Sequence, residues 1–196
     1  MRRKTLDALL TTAGLVVAGV LLIAGGLLTW GHNFTSHEVH KQLAAQQIFF
    51  PAKGSPGLAS PEIGPYLNKY AGQQLVNGQQ AKAFADHYIA VHLKEASGGQ
   101  TYSQLSAAAQ KAPTDTKLAA EVNTAFKGET LRGMLLNAYA FGTMSQIAFY
   151  AAIASFIGAG VLLLLSLVGF THLRRVNPEE EVLTGSKRVS PVPATI

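Results

Sequence analysis

Ala159-Gly160-Val161-Leu162-Leu163-Leu164-Leu165-Ser166-Leu167-Val168-Gly169-Phe170 is the stretch whose reading decides the fold. It lies in an uncharged run of 39 residues, 133–171, that stops at His172-Leu173-Arg174-Arg175. As one helix the run would reach about 58 Å, and a bilayer core of about 30 Å takes up only some 20 of its residues. Apolar density centres the span on Val161 to Leu165 and bounds it at 147–171. The helix is expected to extend outward from it, because Asn137, Tyr139, Gln146 and Tyr150 carry amide and phenol groups that find partners in water or at the interface. A buried helix of a soluble protein rarely needs so many consecutive uncharged residues.

A second uncharged run covers residues 8–31, with Leu15-Val16-Val17 and Val20-Leu21-Leu22-Ile23 at its centre. Arg2, Arg3 and Lys4 stand ahead of it, as they would ahead of a signal peptide or a first membrane helix. Its length exceeds a signal core, and apolar residues resume after Ala24-Gly25-Gly26 with Leu27, Leu28 and Trp30, so a retained anchor is expected. Base flanks the outer end of both runs, Arg2, Arg3 and Lys4 on one and Arg174 and Arg175 on the other. Both termini are therefore expected in the cytoplasm.

The expected organisation is all-α and divides a chain of 196 residues. A short basic N-terminus, 1–7, precedes a transmembrane helix, 8–31. A small helical extracytoplasmic domain, 32–146, precedes a second transmembrane helix, 147–171, and a disordered cytoplasmic tail, 172–196. No large catalytic domain fits in what remains. The net charge of +5 divides between tails and middle, and anionic lipid headgroups account for the tail share. No basic patch with interleaved aromatics points to nucleic acid. Cysteine is absent, which removes disulfides, thiolate nucleophiles and Cys-ligated zinc.

Between the runs, helical spacing recurs in short pieces. Residues 32–48 read as the first helix continuing outward, or as a new helix capped by Ser36. Three prolines and two glycines between Phe49 and Pro61 mark a loop pinned by the Phe49-Phe50 pair. Asn77-Gly78 turns into a helix over 79–96 that carries Ala81, Phe84, Ala85, Tyr88, Ile89 and His92 inward, and Ser97-Gly98-Gly99 ends it. Thr101 and Gln104 form a capping box for a helix over 102–111 that Pro113 stops. Thr114 or Asp115 then caps a last helix through Phe126, with a bend expected near Gly128.

Histidine is the best candidate for chemistry. His37 and His40 share a helical face, and imidazoles at that spacing could hold zinc or copper, although a metal needs a third or fourth ligand. There is no nucleophile motif and no glycine-rich phosphate cradle, so no catalytic or cofactor-binding residue is assigned. Asp86, His87 and Glu95 are the remaining group that another helix could complete. Small residues recur at interval four, Gly14 with Ala18 and Ala151 with Ser155 and Ala159. Such faces let helices approach closely, within the chain, in a homodimer or in a larger membrane complex. Neither run bears the charge that a pump or proton relay would show.

Thr29-Trp30-Gly31-His32, Gln46-Gln47-Ile48-Phe49-Phe50-Pro51, His92-Leu93-Lys94-Glu95 and Phe126-Lys127-Gly128-Glu129-Thr130-Leu131-Arg132-Gly133 carry a further indication. Through them the chain resembles a family of uncharacterised two-pass integral membrane proteins of actinobacteria, over nearly its whole length. Some members bear the label of aromatic ring-opening dioxygenase, which implies an iron site. No two-His-one-carboxylate set supports that here. The resemblance implies a plasma-membrane location with the middle domain on the envelope side. The expected function is a non-enzymatic accessory or scaffold subunit. A ligand-binding or sensory module would instead show a concave pocket between helices, and a metal-dependent enzyme clustered polar side chains in a cleft.

Overall fold

The computed structural model describes residues 3–175. Of the tail expected to be disordered, 172–196, residues 176–196 lie outside the described residues, as do Met1 and Arg2, while α6 runs on through Leu173. The described chain is all-helical. Two long helices dominate it: α1 (Arg3–Ala45) and α6 (Thr116–Leu173), of 43 and 58 residues. Between them come α2 (Gly64–Leu67), α3 (Gly78–Phe84), α4 (Ala90–Ala96) and α5 (Tyr102–Lys111). α1 runs unbroken through Ser36, so no new helix starts there, and α6 runs through Gly128, where a bend was expected. The chain forms two compact units, one of Met1–Trp30 with Ala148–Ile196 and one of Gly31–Ile147.

In the first unit, α1 and α6 run antiparallel. Asp7 Oδ2 lies 3.9 Å from His172 Nε2, Gly169 faces Thr11, Gly14 faces Ser166, and Gly25 faces the Phe156 ring. The residues hidden between them are small: Thr11, Ala18 and Gly25 on α1, and Ala152, Ala159 and Ser166 on α6. Both sets step by seven. That is the period of helices wound around each other left-handedly, where a heptad keeps one seam facing the partner. The interval-four reading found Ala18 and Ala159 but placed the seam obliquely, and Ala151 and Ser155 sit only at its edge. Large aliphatic side chains point outward, with Ile23 68% and Leu164 66% exposed.

The second unit hides large side chains. Leu67 and Leu75 are fully buried, and Phe50 sits edge-on to Phe84 with ring centroids 5.4 Å apart. Of the Phe pair only Phe50 pins the loop; Phe49 is exposed, because successive residues of extended chain point to opposite sides. That chain is tied by Phe50 N–H donating to Gln73 O and Leu75 N–H to Ile48 O, at 2.9 and 2.8 Å. Gly64 is required by crowding, since a methyl group there would stand 2.5 Å from Leu58 O.

The expected helix over 79–96 forms with an interruption. Asn77 caps α3 by accepting from Gln80 N–H, and then Ala85–Ile89 widens into a π-turn before α4 resumes. Ala85 and Ile89, one turn apart, are both buried, as their spacing predicts. His92 is exposed rather than packed inward, with its Nδ1 2.7 Å from Tyr88 O. α3 meets α6 at Gly78, where a methyl group would lie 3.1 Å from Ala138 O and 3.4 Å from Gly142 Cα. The Thr101–Gln104 capping box forms as expected, and Asp115 Oδ1 accepts from Lys117 and Leu118 N–H to start α6.

Candidate functional site

A groove of about 580 Å³ runs between the end of α1 and the middle of α6 in the second unit. Phe34, Glu38 and Gln42 line it from successive turns of one face of α1, and Gln46 follows just past the helix end. Val39 and Leu43 deepen it. From α6 come Leu131, Met134, Leu135, Ala138 and Phe141, spaced by three and four. α1 ends cleanly beside it: Gln47 adopts φ 52°, and the Gln74 side chain donates to Ala44 O at 2.8 Å, satisfying one of the last carbonyls. Ile48 is thereby held at the end of the groove. Met134 is 65% exposed and Phe141 55%, so the apolar wall on α6 is open.

Glu38 is the only lining residue with an ionisable side chain, and Gln42 Nε2 donates to its Oε2 at 3.3 Å. Thr35 and Asn137 add polar groups. Sequence reasoning did not single out this site. Its signal was the spacing of Leu131, Met134, Ala138 and Phe141, an apolar stripe in a part of α6 expected to stand in water.

The residues proposed from sequence for metal do not gather. His37 and His40 are both exposed on α1, and among the described residues no group of three His, Asp or Glu is placed to hold an ion. His40 instead lines a second cavity, of about 430 Å³, with His32, Asn77 and Tyr139. His32 is committed to α6: its Nδ1 lies 2.9 Å from Ser145 O, while Ser145 Oγ donates to His32 O at 3.0 Å. This reciprocal bridge uses both residues as a clamp between the two helices, and Ser145 is buried.

Asp86, His87 and Glu95 do not converge either. Asp86 accepts from Lys82 Nζ at 2.6 Å and, across to α6, from Arg132 Nη2 at 3.0 Å. Burial pushes the Asp86 carboxyl up, and the hydrogen bonds and charges of Lys82 and Arg132 together outweigh it, holding the carboxyl below its ordinary range. The same hydrogen bond, with the Asp86 charge, raises Lys82. His87 turns away to stack on Tyr66, 3.7 Å between ring centroids and 2° from parallel. This arrangement ties α3, the π-turn and α6 together and offers no base beside a nucleophile.

No protein-family model matches this chain, and no curated protein or solved structure matches it significantly.

Proposed function

We propose that the protein is a non-enzymatic plasma-membrane protein whose outer helical domain binds an apolar ligand in the groove between α1 and α6. The groove is the observation that carries this reading: it is concave, mostly apolar and fringed by a few polar groups, as small-molecule sites are. Two helices support the location, because each is long and apolar enough to cross a bilayer and presents large aliphatic side chains outward. The basic flanks orient both termini to the cytoplasm and residues 32–146 to the outside.

The absence of cysteine makes the topology testable. In intact cells a Lys53→Cys variant reacts with a membrane-impermeant maleimide, and a Ser186→Cys variant reacts only after permeabilisation; the opposite pattern refutes the orientation. An accessory-subunit role is the second reading, favoured by apolar residues exposed outside the groove, Phe126 at 53% and Met144 at 62%. Isolation from native membranes in mild detergent with one stoichiometric partner would favour it.

A further inference from the structure

We infer that the groove takes a single linear aliphatic chain whose polar head is uncharged, an acylglycerol-like neutral lipid rather than a fatty-acid anion. The inference rests on the ligand-binding reading above and names its ligand class. The first ground is shape. From Phe34 to Leu43 the groove follows α1 for about 14 Å and continues past its end to Gln46 and Ile48. It is an elongated, mostly apolar trough of about 580 Å³, along which an extended aliphatic chain can lie.

The second ground is the chemistry of the lining. Leu43, Leu131, Leu135 and Phe141 give it apolar walls, and Met134 adds an unbranched, adaptable side chain. The polar positions are hydroxyl and amide groups, Thr35, Gln42, Gln46 and Asn137, with one carboxylate, Glu38, and no cation. Carboxylate and phosphate heads are recognised by Arg, Lys or clustered N–H donors. Here an anion would instead lie near Glu38 and be repelled. Hydroxyl groups of a glycerol head would donate to Glu38 and exchange hydrogen bonds with the amides. The third ground is supply. Along α1, Phe34 lies one turn beyond Trp30, at the end of the apolar run of residues 8–31, so a bilayer holding that run offers such lipids at high local concentration.

The test uses the full chain in nanodiscs with two diazirine-bearing probes, palmitoylglycerol and palmitate, and locates the adducts by peptide mass spectrometry. Palmitoylglycerol is expected to label peptides from residues 34–48 and 131–141. Palmitate should label them about tenfold less, the penalty of one nearby like charge. Glu38→Gln should close that gap. Met134→Glu, at an exposed position that folding tolerates, should abolish groove labelling by both. Equal labelling by palmitate in the unaltered protein overturns the uncharged head and leaves the ligand-binding reading standing. Labelling confined to residues 8–31 and 147–171, with none in the groove, overturns both. A copurifying polypeptide crosslinked along the groove overturns the lipid in favour of a partner segment.

Discussion

The same two helices, α1 and α6, are built on opposite rules in the two units. In the unit of Met1–Trp30 and Ala148–Ile196 they hide glycine, alanine, serine and threonine and display leucine, isoleucine and valine. In the unit of Gly31–Ile147 they hide Leu43 and Leu135 and share their core with Phe50, Leu67 and Phe84. Water rewards burying large apolar side chains. Lipid does not, since hydrocarbon is as apolar as leucine, and close approach through small residues is what remains to hold helices together. The inversion between the units is the one that water around the second and lipid around the first would produce.

That comparison can be broken most directly by deleting leucine from each unit. Leu67→Ala, at a fully buried position, should cost about 3 kcal/mol. Leu164→Ala, 66% exposed, should cost under about 0.5 kcal/mol. Hydrogen exchange of the full chain in nanodiscs measures both, and a large loss at Leu164 would mean that its surface is covered by protein. The next effect in size is the reverse substitution. Ala159→Leu puts bulk into the seam of the first unit and should cost about 1–3 kcal/mol, with faster exchange confined to that helix pair.

The smallest effect sharpens the electrostatics of the second unit. Asp86 has its folded pKa held below the ordinary 3.8, so its contribution is complete above that value and lost as pH falls through the folded pKa. Lys82, raised above its ordinary 10.5, contributes fully below that value and loses its share only as pH rises past it. In the acid range Asp86 therefore sets the slope. Asp86→Asn should flatten the acid dependence of exchange in residues 78–96 while lowering stability at neutral pH only slightly, because the ion pairs are partly exposed. An unchanged acid profile would exclude the pair as its source.

Much of the helical architecture was legible because its signals are local. The Thr101–Gln104 box and the stop at Pro113 depend on a few neighbouring residues, and both work as read. The two long apolar helices were equally plain. What escaped depends on which neighbour a helix meets. The seam of steps of seven becomes visible only when α6 lies against α1, and the π-turn at Ala85–Ile89 interrupts a stretch whose spacing reads as one continuous helix. The groove escaped for the same reason, since it exists only where Phe34 and Met134 are left uncovered by the other helices. His37 and His40 show the converse: a suggestive spacing on one helix gathers no further ligand among the described residues.

Where Gly78 meets Gly142, two stretches of polypeptide touch with nothing but hydrogen between them. Such a joint acts as a depth gauge, setting how far α3 sinks onto α6 by main-chain thickness alone. It also ties the fates of two distant codons. A methyl group at Gly78 would meet Ala138 O and Tyr139 Cα at 3.1 Å, and one at Gly142 would meet Gly78 Cα at 3.3 Å, so neither position takes on bulk unless α3 lifts away from α6.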